Sequence, residues 1–134
     1  MSVLEWAHGD EFRRLSARLD QLAASEIATT IISYEEQARG WLAYLSRARK
    51  VAQQIEGYRR LQRHLSVYRV ALVLDFDEAA AVEFQNLRPL RLRIGVHDQR
   101  IAAIALSQNA TLLSRNVRDF SQVPGLRTED WTSH

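Results

Sequence analysis

At 134 residues, with 46% hydrophobic and 25% charged side chains, the chain has the size and balance of one globular domain built round a single core. No run reaches the roughly 18 to 20 apolar residues of a membrane span, and the acidic N-terminus does not read as a secretory leader, so neither a membrane nor an exported role is expected. With no cysteine there is no disulfide framework, no thiolate nucleophile and no cysteine-ligated zinc, which fits a reducing cytoplasm.

In chain order, Phe12, Leu15, Leu19 and Leu22 recur at helical spacing and predict an amphipathic helix over residues 10–24. Ile27 to Ile32, β-branched except for Ala28, reads as a buried strand. Ser33 then opens a helix through Leu45, and a more basic helix follows over 50–66. Val70 to Leu74 is a second strand, after which Asp77 caps a helix through about Leu87. Pro89 to Gly95 is a loop, and 98–108 a helix rich in alanine and isoleucine. The strand Thr111–Leu113, a polar turn carrying Asn116 and Asp119, and a short strand near Leu126 complete the chain. Strands alternating with helices predict a mostly parallel sheet covered on both faces.

Ligands of such a sheet bind beyond the carboxyl ends of its strands, and the acids of chemical interest fall there. Glu36 follows the strand ending at Ile32, Asp98 opens a helix, and Asn116 and Asp119 follow the strand ending at Leu113. Each has a structural alternative. Ser33 and Glu36 have the spacing of a capping box, Asp98 is where a helix dipole favours an acid, and Asn116 with Asp119 suits a turn. His97 has no second histidine at ligand spacing and is read as a cap or surface residue. The net charge is only +2, yet seven basic residues lie between Arg39 and Arg63 (Arg39, Arg47, Arg49, Lys50, Arg59, Arg60, Arg63) against one acid, Glu56. Arginine-rich faces suit bidentate contact with phosphate, and a solvated helix surface is the alternative.

The combination, in order, is Ser33-x-x-Glu36-x-x-x-Gly40 after a β-branched strand, Asp98-x-x-Ile-Ala-Ala, Leu-Leu-Ser114-x-Asn116-x-x-Asp119-Phe120, and Val-Pro-Gly-Leu-x-x-Glu-Asp-Trp. It resembles the PIN-domain family, and within it the VapC ribonuclease toxins of VapBC toxin–antitoxin pairs, over about Ile27 to Trp131. The resemblance implies a single domain over 1–134 of α/β class, with three α/β/α layers and a mostly parallel central sheet. It also implies a pocket for Mg²⁺ or Mn²⁺ with Glu36, Asp98, Asn116 and Asp119 as ligands, and Ser114 beside them in the catalytic set. Many relatives carry aspartate where Asn116 stands, so Asn116 is expected to coordinate through its carbonyl or to orient a water. The implied activity is metal-dependent hydrolysis of RNA, with the substrate's backbone held by Arg39, Arg47, Arg49, Lys50, Arg115 and Arg118. A VapB-like antitoxin, a homodimer and a cytoplasmic location are implied with it.

One departure from the family pattern bears on all of this. Relatives begin with a strand ending in a Leu-Asp-Thr-type motif whose aspartate is a principal metal ligand, whereas Met1-Ser2-Val3-Leu4-Glu5-Trp6 reads as the helix after that strand. The first strand and its aspartate are therefore expected to be lacking, with Glu5 and Asp10 on a helix and unable to replace it. A start assigned at an internal methionine, a non-catalytic remnant that binds RNA or an antitoxin-like protein, and a sheet completed by another chain are the competing explanations. An acidic-pocket signalling domain is a further possibility, weakened by the lack of any lysine besides Lys50.

Overall fold

The computed structural model describes residues 1–4 and 27–130. The predicted helix over 10–24, with Glu5 and Asp10, lies outside the described residues. The elements are β1 (Ser2–Leu4), β2 (Ile27–Thr30), α1 (Ile31–Arg47), α2 (Val51–Val70), β3 (Val73–Leu74), α3 (Glu78–Leu87), a 3₁₀ turn (Arg88–Leu90), α4 (Val96–Ser107), β4 (Thr111–Leu113), α5 (Val117–Phe120) and β5 (Arg127–Glu129). The five strands form one parallel sheet in the order β3-β2-β1-β4-β5, within a three-layer α/β/α fold.

The expected loss of the first strand is overturned, because β1 occupies the centre of the sheet. Ser2 and Val3 pair with Ile27 and Ala28 on one side, and Ser2, Val3 and Leu4 pair with Thr111, Leu112 and Leu113 on the other. Val3 is wholly buried. A three-residue strand covered on both faces leaves neither alternation nor length in the sequence. The backbone donors and acceptors of its two neighbours supply what local propensity does not.

The β-branched run also misleads at its far end. The strand stops at Thr30, and Ile31 and Ile32 already belong to α1. Thr30 is the N-cap, its Oγ1 accepting the Ser33 amide at 3.1 Å. Ser33 is thus inside the helix, and the predicted Ser33–Glu36 capping box does not form. Glu36 is relieved of a structural task at the helix end. Because Thr30 is fully buried, Thr30→Ala is expected to cost about 1 kcal/mol, read from urea unfolding. An unchanged midpoint would show that another group caps α1.

Helix α2 runs on through Val70, so the second strand shrinks from Val70–Leu74 to Val73–Leu74. Gly57 lets α2 approach α1 closely, since a Cβ there would lie 2.5 Å from Leu45 Cδ2 and 3.0 Å from Tyr44 Cδ1. Asp77 caps α3 as expected, its Oδ1 accepting the Ala80 amide at 2.9 Å. Helix α4 is buried without interruption from Ile101 to Ala105, which explains its alanine-rich, poorly amphipathic sequence. The turn read after β4 is a single helical turn, α5, pinned by the fully buried Phe120.

Candidate active site

Three chain segments deliver acids to the carboxyl edge of the sheet. Leaving β2 through its Thr30 cap, α1 presents Glu36 in its second turn. The first turn of α4 carries Asp98, two residues past Val96, with Gly95 as the N-cap. Beyond β4, Ser114 and Asn116 lead into α5, which holds Asp119. Ser114 is buried, and its amide donates to the Glu129 carbonyl at 3.0 Å, tying the start of this segment to β5.

Their electrostatics link Asp98 with Asp119 and Glu36 with Asp98. Partial burial pushes the Asp98 carboxyl up from the ordinary aspartate value, and the charge of Asp119 pushes it further, with His97 opposing. The Glu36 carboxyl is also raised, first by desolvation and then by Asp98, with Glu35 adding and His97 and Arg39 opposing. Asp98 is therefore the middle member of a Glu36–Asp98–Asp119 series of like charges. Such an arrangement disfavours the ionised state unless a cation offsets it.

Asn116 belongs to the same group. Its Nδ2 donates to Asp119 Oδ2 at 2.8 Å, and its backbone amide donates to Ser114 Oγ at 2.9 Å. The Asn116 side-chain carbonyl is the atom this geometry leaves as a further ligand. His97 is held differently. Arg100 approaches its Nδ1 at 3.0 Å, and its Nε2 faces Glu35 Oε1 at 3.6 Å.

A divalent ion fits this donor set on chemical grounds, since hard cations take carboxylate and carbonyl oxygens. Among the described residues, no three or more acidic or histidine side chains are grouped into a cage that could hold a metal ion. A site that relies on water for much of its coordination needs no such cage, and Mg²⁺ characteristically keeps several waters. Glu5 follows Leu4 directly in sequence, and it lies outside the described residues.

The basic residues divide into separate groups. Arg39 pairs with Glu35 along α1. Arg47 lines a cavity together with Glu36. Arg49 and Lys50 are exposed between α1 and α2, where the Lys50 amide donates to Gln53 Oε1 at 3.3 Å. Arg115 and Arg118 are exposed beside Asn116 and Asp119. Sequence reasoning missed the Gln37, Trp41 and Tyr44 side chains that share the cavity with Glu36. Their spacing along α1 was the available signal.

The raised carboxyls carry a sign for stability. A folded chain that holds protons more tightly than the unfolded chain is stabilised fully below the ordinary carboxylate range, and loses that contribution as pH rises through the raised values. In chelator, Asp98→Asn is therefore expected to melt at a higher temperature than wild type at neutral pH. The difference should shrink as pH falls below the ordinary aspartate range. A variant that melts lower at neutral pH would contradict the repulsion.

The PIN domain family model matches residues 2–126. The chain belongs to the PIN-domain family. It is similar to the tRNA(fMet)-specific endonuclease VapC of Shigella flexneri, with 42% identity over 64 residues covering 45% of this chain and 48% of the relative. Its namesake in Salmonella typhimurium is 38% identical over 63 residues, covering 44% and 48%. The chain thus spans about half the length of the curated relatives it matches. Two solved structures share this PIN fold over 98% of both chains: VapBC-1 from nontypeable Haemophilus influenzae, at a TM-score of 0.71 and 21% identity, and FitAcB from Neisseria gonorrhoeae, at 0.70 and 18%.

Proposed function

We propose that this PIN domain is a divalent-metal-dependent endoribonuclease, the toxin of a VapBC-type pair. The observation that carries the reading is the series of mutually repelling acids at the carboxyl edge of the sheet, with Asn116 bonded to its last member. Glu36, Asp98, Asp119 and the Asn116 carbonyl would hold Mg²⁺ or Mn²⁺, aided by waters. When bound, such an ion supplies Lewis acidity toward a phosphodiester and lowers the pKa of a nearby water. Asp98, in the middle of the series, would help hold the ion and would serve as the proton-accepting carboxylate. Asn116 holds the Asp119 carboxylate in register, and Ser114 anchors Asn116 through its backbone amide. Arg47, Arg115 and Arg118 border this edge and neutralise RNA phosphates, with Arg39, Arg49 and Lys50 extending the track along the α1–α2 hairpin.

The partner reading draws on the kind of assembly in which the fold's neighbours occur. One is VapBC-1, and another is the DNA-bound VapBC of Salmonella typhimurium. A VapB-like antitoxin is proposed by that likeness, and a homodimer and a cytoplasmic setting are proposed with it from the family resemblance alone. Among the described residues no helix is long and apolar enough to cross a membrane. The rival reading, a non-catalytic remnant, rested on an absent first strand and on the aspartate at its end; β1 restores the strand, and Glu5, which follows it in sequence, lies outside the described residues. Antitoxin-free protein should cut single-stranded RNA with Mn²⁺ and not with chelator. Folded protein that leaves RNA intact with either Mg²⁺ or Mn²⁺ would overturn the proposal.

A further inference from the structure

Helix α1 carries more than Glu36 toward this edge. Glu36, Gln37, Gly40, Trp41, Tyr44 and Arg47 recur at helical spacing and line a cavity of about 460 Å³. Trp41 and Tyr44 stay partly exposed outside the buried core, with their rings edge to face at 6.2 Å. Gln37 and Trp41 also border a smaller recess of about 120 Å³ shared with Arg60 and Arg63 of α2. The Arg60 guanidinium carbon lies 5.7 Å from the Trp41 ring centroid.

We propose that this cavity is a nucleobase subsite, in which a base next to the scissile phosphate stacks on Trp41 and is read along its edge by the Gln37 amide. The proposal rests on the endoribonuclease reading and names where that activity takes its substrate. Three features favour RNA as the occupant. The cavity is continuous with the acidic edge, since Glu36 lines both. Arg47 is exposed at its border and Arg63 in the adjoining recess, each available to a phosphate flanking a seated base. A partly exposed indole offers a π-face to any base, while a primary amide both donates and accepts along a base edge.

Gly40 makes the test clean. Gly40 lines the cavity and a Cβ built there meets nothing within 4 Å, so a side chain can be added at this position, and leaving glycine favours the helix. Gly40→Leu and Trp41→Ala would be compared with wild type for anisotropy binding of single-stranded RNA in chelator, and for Mn²⁺-dependent kcat/KM. The oligonucleotides would be intact or carry one abasic nucleotide beside the cleavage position. Wild type is expected to lose about tenfold in affinity on the abasic RNA, and Trp41→Ala about tenfold on the intact RNA. Trp41→Ala should then be indifferent to the abasic lesion. Gly40→Leu should weaken RNA binding while melting no lower than wild type.

If wild type cuts RNA but both variants bind and cut it unchanged, the subsite is wrong and the nuclease reading survives. If they instead lose only antitoxin binding, the cavity serves a protein partner and the proposal is overturned. If wild type neither binds nor cuts RNA, both readings fail together.

Discussion

Asp98→Asn is expected to lower Mn²⁺-dependent RNA cleavage by about a hundredfold or more, the scale of losing a group that handles a proton or a metal at the reacting centre. Asp98 is singled out by its position. Its carboxyl feels Asp119, and Glu36 feels Asp98, so removing the central charge splits the series. Asparagine keeps the shape and removes the charge, which separates electrostatics from packing. The change is also expected to make the metal-free protein more stable, because a repelled, partly buried carboxylate disappears. Lost activity with a raised melting temperature cannot be confused with unfolding. Added Mn²⁺ should raise the melting temperature of wild type more than that of the variant, since only a state with the intact site gains by binding. Glu36→Gln is expected to be milder, because Glu36 is exposed on its helix and only partly desolvated.

Phe120→Ala should have the largest effect on stability, about 3–5 kcal/mol, within the range for deleting a buried phenyl ring. Among the described residues Phe120 is the largest wholly buried side chain, and it belongs to one cluster with Val3, Ile101, Leu112 and Val123. It is also the next residue after Asp119, and its amide closes α5 by donating to the Asn116 carbonyl at 3.1 Å. Core and acidic edge are thus joined through one residue. Urea unfolding of wild type, Phe120→Ala and Phe120→Leu tests this, with leucine recovering part of the loss. A cost under about 1 kcal/mol for alanine would mean that the ring is replaceable and that α5 is held elsewhere.

Much of this architecture was legible where local signals are strong. Asp77 three residues before the amide it caps, the apolar triplet Thr111–Leu113, and a strand soon after Pro124-Gly125 were all read from sequence and stand in the fold. The failures lie where tertiary pairing outweighs propensity. β1 is too short and too enclosed to show a period, so Met1–Trp6 read as helix. Ile31 and Ile32 have the β-branching of a strand, but the Thr30 cap places them in the first turn of α1. The acids of the site could be collected by topology alone, since strand ends converge whatever their separation in sequence. The smaller recess beside Trp41 could not, because its walls need α1 and α2 set against each other.

Calorimetric titration of Mn²⁺ into wild type, Asp98→Asn, Asp119→Asn and Arg39→Ala bears most directly on whether these oxygens serve one ion. Wild type and Arg39→Ala are expected to bind one ion per chain alike, with each aspartate variant weaker by at least about tenfold, because a hard cation draws its affinity from the carboxylates around it. Equal Mn²⁺ affinity in all four proteins would mean that Asp98 and Asp119 do not share a cation, and the nuclease account built on them would not stand.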